Sequence, residues 1–298
     1  MTTVRGVRSQ LVGLGLAVFV LGIPVHAVAQ RASSPQFKLD LLGNQVPAVR
    51  AAAAIIYNPQ TGQILWGENQ HARRPIASLT KLMTAITFMA GHPDLSQRVK
   101  VAASDVRRAS VTYLRTGELV SYNDLLHLAL IASDNGAARV LARTSEGGTA
   151  AFIARMNEMA QHLGLTNSEY ADPSGLDDRN VSSAYDISQM IAMVTSDPLL
   201  GPITRAPRYE ARTNLRRFTV RNTNRLLDSE PDVVGGKTGF IRKAGYCLAT
   251  LFQVPDGAQV AVVVLGAANS TTRFWEARHL FHWFVGRAAG HVGGSDPH

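Results

Sequence analysis

Tyr246-Cys247-Leu248-Ala249-Thr250-Leu251-Phe252-Gln253 is followed by Pro255-Asp256-Gly257 and then by Gln259-Val260-Ala261-Val262-Val263-Val264-Leu265-Gly266-Ala267. Two apolar runs of strand length joined by a Pro-Asp-Gly turn read as a β-hairpin. The other end of the chain has the same form. Ala51 to Tyr57 is a small-apolar strand, Asn58-Pro59-Gln60-Thr61-Gly62 is turn chemistry, and Ile64-Leu65-Trp66 is the next strand. Between these ends the period changes from two to 3.6. Helices are expected over Ile76–Ala90 (just after Pro75), Asn123–Ala132, Ala150–Leu163 and Tyr185–Thr195, the last opened by Ser182 and Ser183. A final helix over Arg273–Val285 places Phe274, Ala277, Leu280, Phe281 and Phe284 at helical spacing. Strands at both ends with helices between them favour an α/β (α+β) fold over alternating βαβ units. The expected architecture is an antiparallel sheet built from both chain ends, with helices on both faces and a mostly helical subdomain.

The chain has 298 residues, 46% of them apolar and 17% charged, which excludes disorder and low-complexity scaffolds. Its single cysteine excludes an internal disulfide framework and any multi-cysteine metal centre. Arg5 and Arg8 precede an apolar run from Leu11 to Val25, which ends in Ala27-Val28-Ala29. These are the three parts of a secretory signal peptide, over 1–29. A poorly ordered lead-in (30–48), a single catalytic domain (49–288) and a flexible tail (289–298) complete the expected organisation. The mature protein is expected to be soluble, in the periplasm or cell-wall space, with no integral membrane segment. A net charge of +8 suits anionic neighbours. It is dispersed, and no zinc-finger spacing or phosphate-binding glycine loop accompanies it, so no nucleic-acid partner is expected.

Three short motifs can carry chemistry. In Ser78-Leu79-Thr80-Lys81, no other serine of the chain has a lysine three residues on. Ser78 would sit near a helix start, with Lys81 on the same face. Leu79, Leu82, Met83 and Ile86 would desolvate the amine, lowering its pKa until it can act as a base on the hydroxyl. Ser133-Asp134-Asn135 follows the most apolar helix: a hydroxyl there can relay a proton, and the Asn amide can hold a substrate carbonyl. Lys237-Thr238-Gly239 follows Val233-Val234-Gly235-Gly236, just before an expected strand. Glycines there allow close backbone approach, and the lysine and hydroxyl can bind a carboxylate. Ser121-Tyr122-Asn123 has the look of the second motif but begins its helix, so it reads as a cap.

Ser-x-x-Lys, Ser-x-Asn and Lys-Thr-Gly in this order are the signature of penicillin-binding proteins and class A β-lactamases. The surroundings resemble the low-molecular-mass penicillin-binding proteins of the serine-type D-alanyl-D-alanine carboxypeptidase family. The likeness is carried by Pro75–Thr84, Asp172–Asp177, Ser183–Asp186, Arg221–Leu227, Gly236–Gly239 and Lys243–Tyr246. It runs from about Ala51 to Trp283 and implies a serine β-lactamase-like fold and no cofactor or metal. The implied substrates are peptidoglycan stem peptides, from which the terminal D-Ala is removed; β-lactam antibiotics would be covalent inhibitors. The resemblance makes Ser78 the acylated nucleophile, Lys81 its base and Ser133 a proton relay. Asn135 would position substrate, Lys237 and Thr238 would take the peptide's terminal carboxylate, and the N–H groups of Ser78 and Phe240, beside Gly239, would form the oxyanion hole. Arg273 stands where carboxypeptidases of the family place a carboxylate-binding arginine.

Two related activities share these motifs. A D-alanyl-D-alanine endopeptidase, which cuts cross-links between stem peptides, is the alternative, and Glu146-Gly147-Gly148 with Ala150–Asn157 resembles that subgroup. A class A β-lactamase needs a glutamate for its deacylating water; Glu169 stands in Ser168–Asp172 without the surrounding residues of that loop, so it reads as structural. The seven arginines of Arg205–Arg225 face Glu210 alone and read as a solvated hairpin. His279 and His282 have no acidic or cysteine partner nearby in sequence, and Cys247 reads as a buried small hydrophobe.

Overall fold

The computed structural model describes residues 1–3 and 36–292. The expected signal peptide therefore lies almost wholly outside the described residues. Gln36 to Val292 pack as one unit. A hairpin of β1 (Phe37–Leu39) and β2 (Gln45–Pro47) comes first, then β3 (Ala53–Asn58), β4 (Gln63–Glu68), the short β5 (Arg74–Pro75) and a 3₁₀ turn over Ala77–Leu79. The central region holds α1 (Thr80–Ala90), β6 (Arg98–Lys100), α2 (Ala103–Val106), β7 (Leu119–Ser121), α3 (Tyr122–Ile131), α4 (Asn135–Thr144) and α5 (Gly148–His162). Then follow β8 (Val181–Ser182), α6 (Ala184–Ser196), α7 (Leu200–Arg205), β9 (Arg208–Arg212) and β10 (Arg217–Arg221). The chain closes with β11 (Val233–Ile241), β12 (Gly245–Gln253), β13 (Gln259–Ala267) and α8 (Ser270–Val292).

The main sheet has the order β11-β12-β13-β3-β4 and is antiparallel throughout, so strands from both chain ends do meet at β13 and β3. Its central strands are covered on both faces, which is why they read as unbroken apolar runs. Ala53, Ile55, Ala261, Val263 and Leu265 join the larger core under α1, α3, α4 and α6. Their neighbours Ala54, Ile56, Val260, Val262 and Val264 join the second core, with Ala277, Leu280 and Phe281 of α8. Period-two alternation thus sorts each strand between two apolar layers. Among the described residues no helix is long and apolar enough to cross a membrane.

Three expectations need correction, and one helix goes unread. Residues 36–48 of the lead-in are ordered as the β1–β2 hairpin, where Phe37 meets the His279 ring edge-on and Lys38 pairs with Glu68 at 2.8 Å. Lys237-Thr238-Gly239 lies inside the edge strand β11 rather than before a strand. The last helix starts at Ser270 and continues to Val292, so the first four residues of the expected tail are helical and 293–298 lie outside the described residues. Helix α4 has no counterpart in the sequence reading, because its opening Asn135-Gly136 has turn chemistry; Asp134 caps it by accepting a bond from Ala137 N at 2.9 Å. The caps anticipated at Ser121 and Ser183 are present, each accepting a bond from the backbone N–H three residues on.

Candidate active site

Ser78 lies in the 3₁₀ turn that links β5 to α1, half-buried between the fully buried Ala77 and Leu79. The turn is pinned at both ends. Ile76 N donates to Asn180 O at 3.2 Å, and Thr80 Oγ1 donates to Ala77 O at 2.7 Å. Ala77 is held at φ +50°, a left-handed conformation that costs energy in a residue with a Cβ and tends to mark functional turns. Two backbones press on the turn. Gly175, at φ +83°, lies so close to the Ala77 carbonyl that no Cβ would fit. A Cβ on Gly239 would stand 2.8 Å from Ile76 O and 3.0 Å from Ser78 N. Strand β11 and the Asp172–Asp177 loop therefore clamp the serine from two sides.

Lys81 is one turn on and has no solvent exposure. Its Nζ donates to Ser78 Oγ at 2.9 Å, Asn135 Oδ1 at 2.6 Å and Ser174 O at 2.6 Å. Burial lowers its pKa to about 7, against the opposing attraction of Asp172 and Asp134. A large fraction of the amine is thus neutral near pH 7. Its two remaining N–H bonds satisfy the Asn135 and Ser174 oxygens, and its lone pair is left for the Ser78 hydroxyl. Asn135 is itself fixed by donating to Ala109 O at 2.7 Å.

Ser133 sits between α3 and α4 at φ +58°, a second strained position in the same cleft. Lys237 Nζ donates to Ser133 Oγ at 2.8 Å and to its neighbour Thr238 O at 2.9 Å. Lys237 is fully buried, and burial, followed by the charges of Lys81 and Arg273, holds its pKa well below the usual lysine range. A cavity of about 550 Å³ is lined by Ser78, Ser133, Asn135, Thr238, Gly239, Phe240 and Arg273. Neither lysine lines it; both are fully buried. The structure thus brings all the candidate residues together, but it aims Lys237 at the Ser133 hydroxyl, while Thr238 and Arg273 line the cavity. Arg273 is 8% exposed, donates to Gly239 O at 3.1 Å and Cys247 O at 3.3 Å, and lies over the Phe274 ring at 4.7 Å. Desolvation lowers its pKa to about 10.

A family model described as "D-alanyl-D-alanine carboxypeptidase" matches residues 42–269. The chain belongs to the D-alanyl-D-alanine carboxypeptidase family. It is 32% identical to a D-alanyl-D-alanine endopeptidase of Pseudomonas aeruginosa over 91% of this chain and 87% of that protein. It is 30% identical to a D-alanyl-D-alanine carboxypeptidase of Bacillus subtilis over 87% of this chain and 67% of that protein. Among solved structures, a Streptomyces DD-transpeptidase superposes with a TM-score of 0.76 at 26% identity, covering 80% of this chain and 97% of that chain. As a member of this family the protein is a hydrolase, a serine peptidase of D-alanyl-D-alanine bonds with the serine β-lactamase-like fold.

The structure also gives tasks to residues that the sequence reading did not single out. Asp172 Oδ1 accepts bonds from Ser174 N, Gly175 N and Asn180 Nδ2, while its Oδ2 accepts from Asp177 N. This carboxylate folds the loop that delivers Ser174 O to Lys81. Thr223 accepts a bond from Thr238 Oγ1 at 2.7 Å. Both lie within the family-like segments, but only tertiary contact assigns them a task. Glu169 pairs with Arg73 at 2.7 Å, both side chains exposed, and does not line the cavity. Glu169→Gln is therefore expected to change the hydrolysis rate of a penicilloyl-enzyme by less than about twofold, because an exposed ion pair contributes little. Stopped-flow or mass-spectrometric decay of the adduct measures this, and a large slowing would reveal a β-lactamase-like water activator.

Proposed function

We propose that the protein cleaves D-alanyl-D-alanine peptide bonds through an acyl-enzyme on Ser78. The observation that carries this reading is the buried Lys81 amine at 2.9 Å from Ser78 Oγ, with its pKa lowered to about 7. Neutral Lys81 takes the Ser78 proton as the oxygen attacks the carbonyl of the penultimate D-Ala. The N–H groups of Ser78 and Phe240 receive the developing oxyanion. The bond to the terminal D-Ala breaks as Ser133, held by Lys237, gives its proton to the leaving amine and takes up the proton that Lys81 removed from Ser78, which returns Lys81 to its neutral form. Water then hydrolyses the ester and restores Ser78. Asn135 positions both lysine and substrate, and Thr238 with Arg273 faces the leaving carboxylate. The carboxypeptidase substrate is a stem peptide ending in D-Ala-D-Ala, met outside the cytoplasmic membrane; penicillins acylate the same serine. A second reading, cleavage of cross-links, is supported by the endopeptidase relatives, including one of Escherichia coli at 33% identity over 80% of this chain and 78% of that protein.

The test is intact-mass spectrometry with penicillin, peptide mapping of the adduct, and assay of D-Ala release from a pentapeptide. A penicilloyl group on Ser78 with D-Ala release establishes the carboxypeptidase. An adduct without release, and with cleavage of cross-linked muropeptides, establishes the endopeptidase. No adduct overturns the reading. The pH profile adds a signed expectation. Protonated Lys81 cannot act as base, so the second-order acylation rate should rise about tenfold per pH unit below 7 and level off above it. A rate independent of pH across that range would exclude Lys81 as the base.

A further inference from the structure

We propose that Val111, Tyr113 and Phe240 form an apolar clamp on the acyl half of the ligand, so that the protein selects peptides and β-lactams whose acyl side presents an aromatic or long aliphatic group without a positive end. This rests on the D-alanyl-D-alanine peptidase reading and deepens it by naming what the substrate carries beside the reacting bond.

The reacting carbonyl at Ser78 divides the ligand into a leaving half and an acyl half, and the cavity runs both ways from it. Strand β11 supplies the measure, because it advances about 3.3 Å per residue. Gly239 stands against Ser78 N. Thr238, bonded to Thr223, lies on one side, at the end proposed for the leaving carboxylate. Phe240, Ile241 and Arg242 lead away on the other, so the acyl half lies along them.

This second end is apolar and open on two walls. Val111 is 45% exposed, Tyr113 43% and Phe240 51%, and all three line the cavity. Single exposed apolar side chains are ordinary on a protein surface, but three large ones around one cleft make a patch that a ligand covers. The patch is held rigidly. Asn135 N donates to Val111 O at 2.9 Å, and Tyr113 N donates to Asp134 Oδ2 at 2.6 Å, so this wall is tied to the Ser133–Asn135 motif. Each ring is also backed by another, Tyr113 by Phe218 with centroids 6.1 Å apart and Phe240 by Tyr246 at 4.2 Å. Rings fixed in this way bind without first being ordered. The charge of the lining sets the second half of the selection. Its ionised side chains are Arg242 and Arg273, and it includes no carboxylate. An ammonium group brought into the acyl end would meet Arg242 and find no anion.

The experiment measures second-order acylation rates of wild type, Tyr113→Ala and Tyr113→Phe with two penicillins. One is benzylpenicillin; the other is 6-aminopenicillanic acid, which has the same ring system and a bare amine in place of the phenylacetamido group. Intrinsic reactivity cancels when the ratio of the two rates is compared between proteins. The ratio should fall about tenfold in Tyr113→Ala, the worth of one aromatic contact with the phenyl group. It should stay within about twofold in Tyr113→Phe, because the ring and not the hydroxyl makes the contact. The Tyr113 side chain is exposed, so both variants should fold. A benzylpenicillin analogue with a para-aminomethyl group should acylate the wild type about threefold more slowly than benzylpenicillin, as expected of one unfavourable charge contact near solvent. An unchanged ratio in Tyr113→Ala, an equal fall in Tyr113→Phe, or an aminomethyl analogue as fast as its parent would each overturn the clamp, while the adducts themselves would sustain the peptidase reading. A wild type that forms no adduct with any of the three penicillins overturns both.

Discussion

Lys81→Met is expected to slow penicillin acylation of Ser78 by about a thousandfold at pH 7 while leaving the protein folded. General-base catalysis by a positioned side chain is worth roughly a hundred- to ten-thousandfold. The upper half of that range applies here because the amine is fully buried and no second base lies within hydrogen-bond reach of Ser78 Oγ among the described residues. Methionine fills nearly the same volume. It leaves Asn135 Oδ1 and Ser174 O without the lysine's donors, a loss of about 1–3 kcal/mol each, but it also removes the cost of desolvating an amine. The two changes oppose one another, so the melting temperature should shift by only a few degrees. Lys81→Arg separates charge from basicity: a guanidinium keeps the positive charge but does not deprotonate in this range, so the variant should be as slow as the methionine one. Acylation by either variant within tenfold of wild type would sink the assignment of Lys81 as base.

The parts of this site that are legible in the sequence are those whose geometry is local. Ser78 and Lys81 are three residues apart on one helical turn, so their contact follows from the helix itself. The strands on either side of Pro255-Asp256-Gly257 are legible because each is buried on both faces and is therefore apolar throughout. The β1–β2 hairpin is not: its first strand, Phe37–Leu39, is exposed along its length and carries no burial pattern. Helix α4 is hidden by Asn135-Gly136, yet its position decides the site, since it presents Asn135 to Lys81. The role of Lys237 also needs the fold. Its sequence context suggests a surface carboxylate binder, but β11 runs against the 3₁₀ turn and buries the amine beneath Ser133. Which groups a buried amine reaches is set by strand register and loop closure, and neither is written in neighbouring residues.

Gly175→Ala tests that long-range fit at its tightest point. Two costs separate cleanly. The first is conformational: at φ +83° an alanine is strained by roughly 1–2 kcal/mol. The second is steric: the new Cβ would overlap the Ala77 carbonyl and stand 2.9 Å from Ser78 N, so backbone must move. Gly164 supplies the control, because it has φ +70° with nothing within 4 Å of the place its Cβ would take, and Gly164→Ala therefore carries the conformational cost alone. Both variants should lose stability, Gly175→Ala by about 2–4 kcal/mol and Gly164→Ala by about half as much, as read from denaturant midpoints. Only Gly175→Ala should lose acylation, by a hundredfold or more, because displacing Ser78 moves the nucleophile and one oxyanion donor together, and misplacement on the ångström scale is worth that factor. A folded Gly175→Ala protein acylated at the wild-type rate would show that the Asp172–Asp177 loop yields freely and does not hold the serine. A hundredfold loss in Gly164→Ala as well would trace the effect to general destabilisation instead of the clamp.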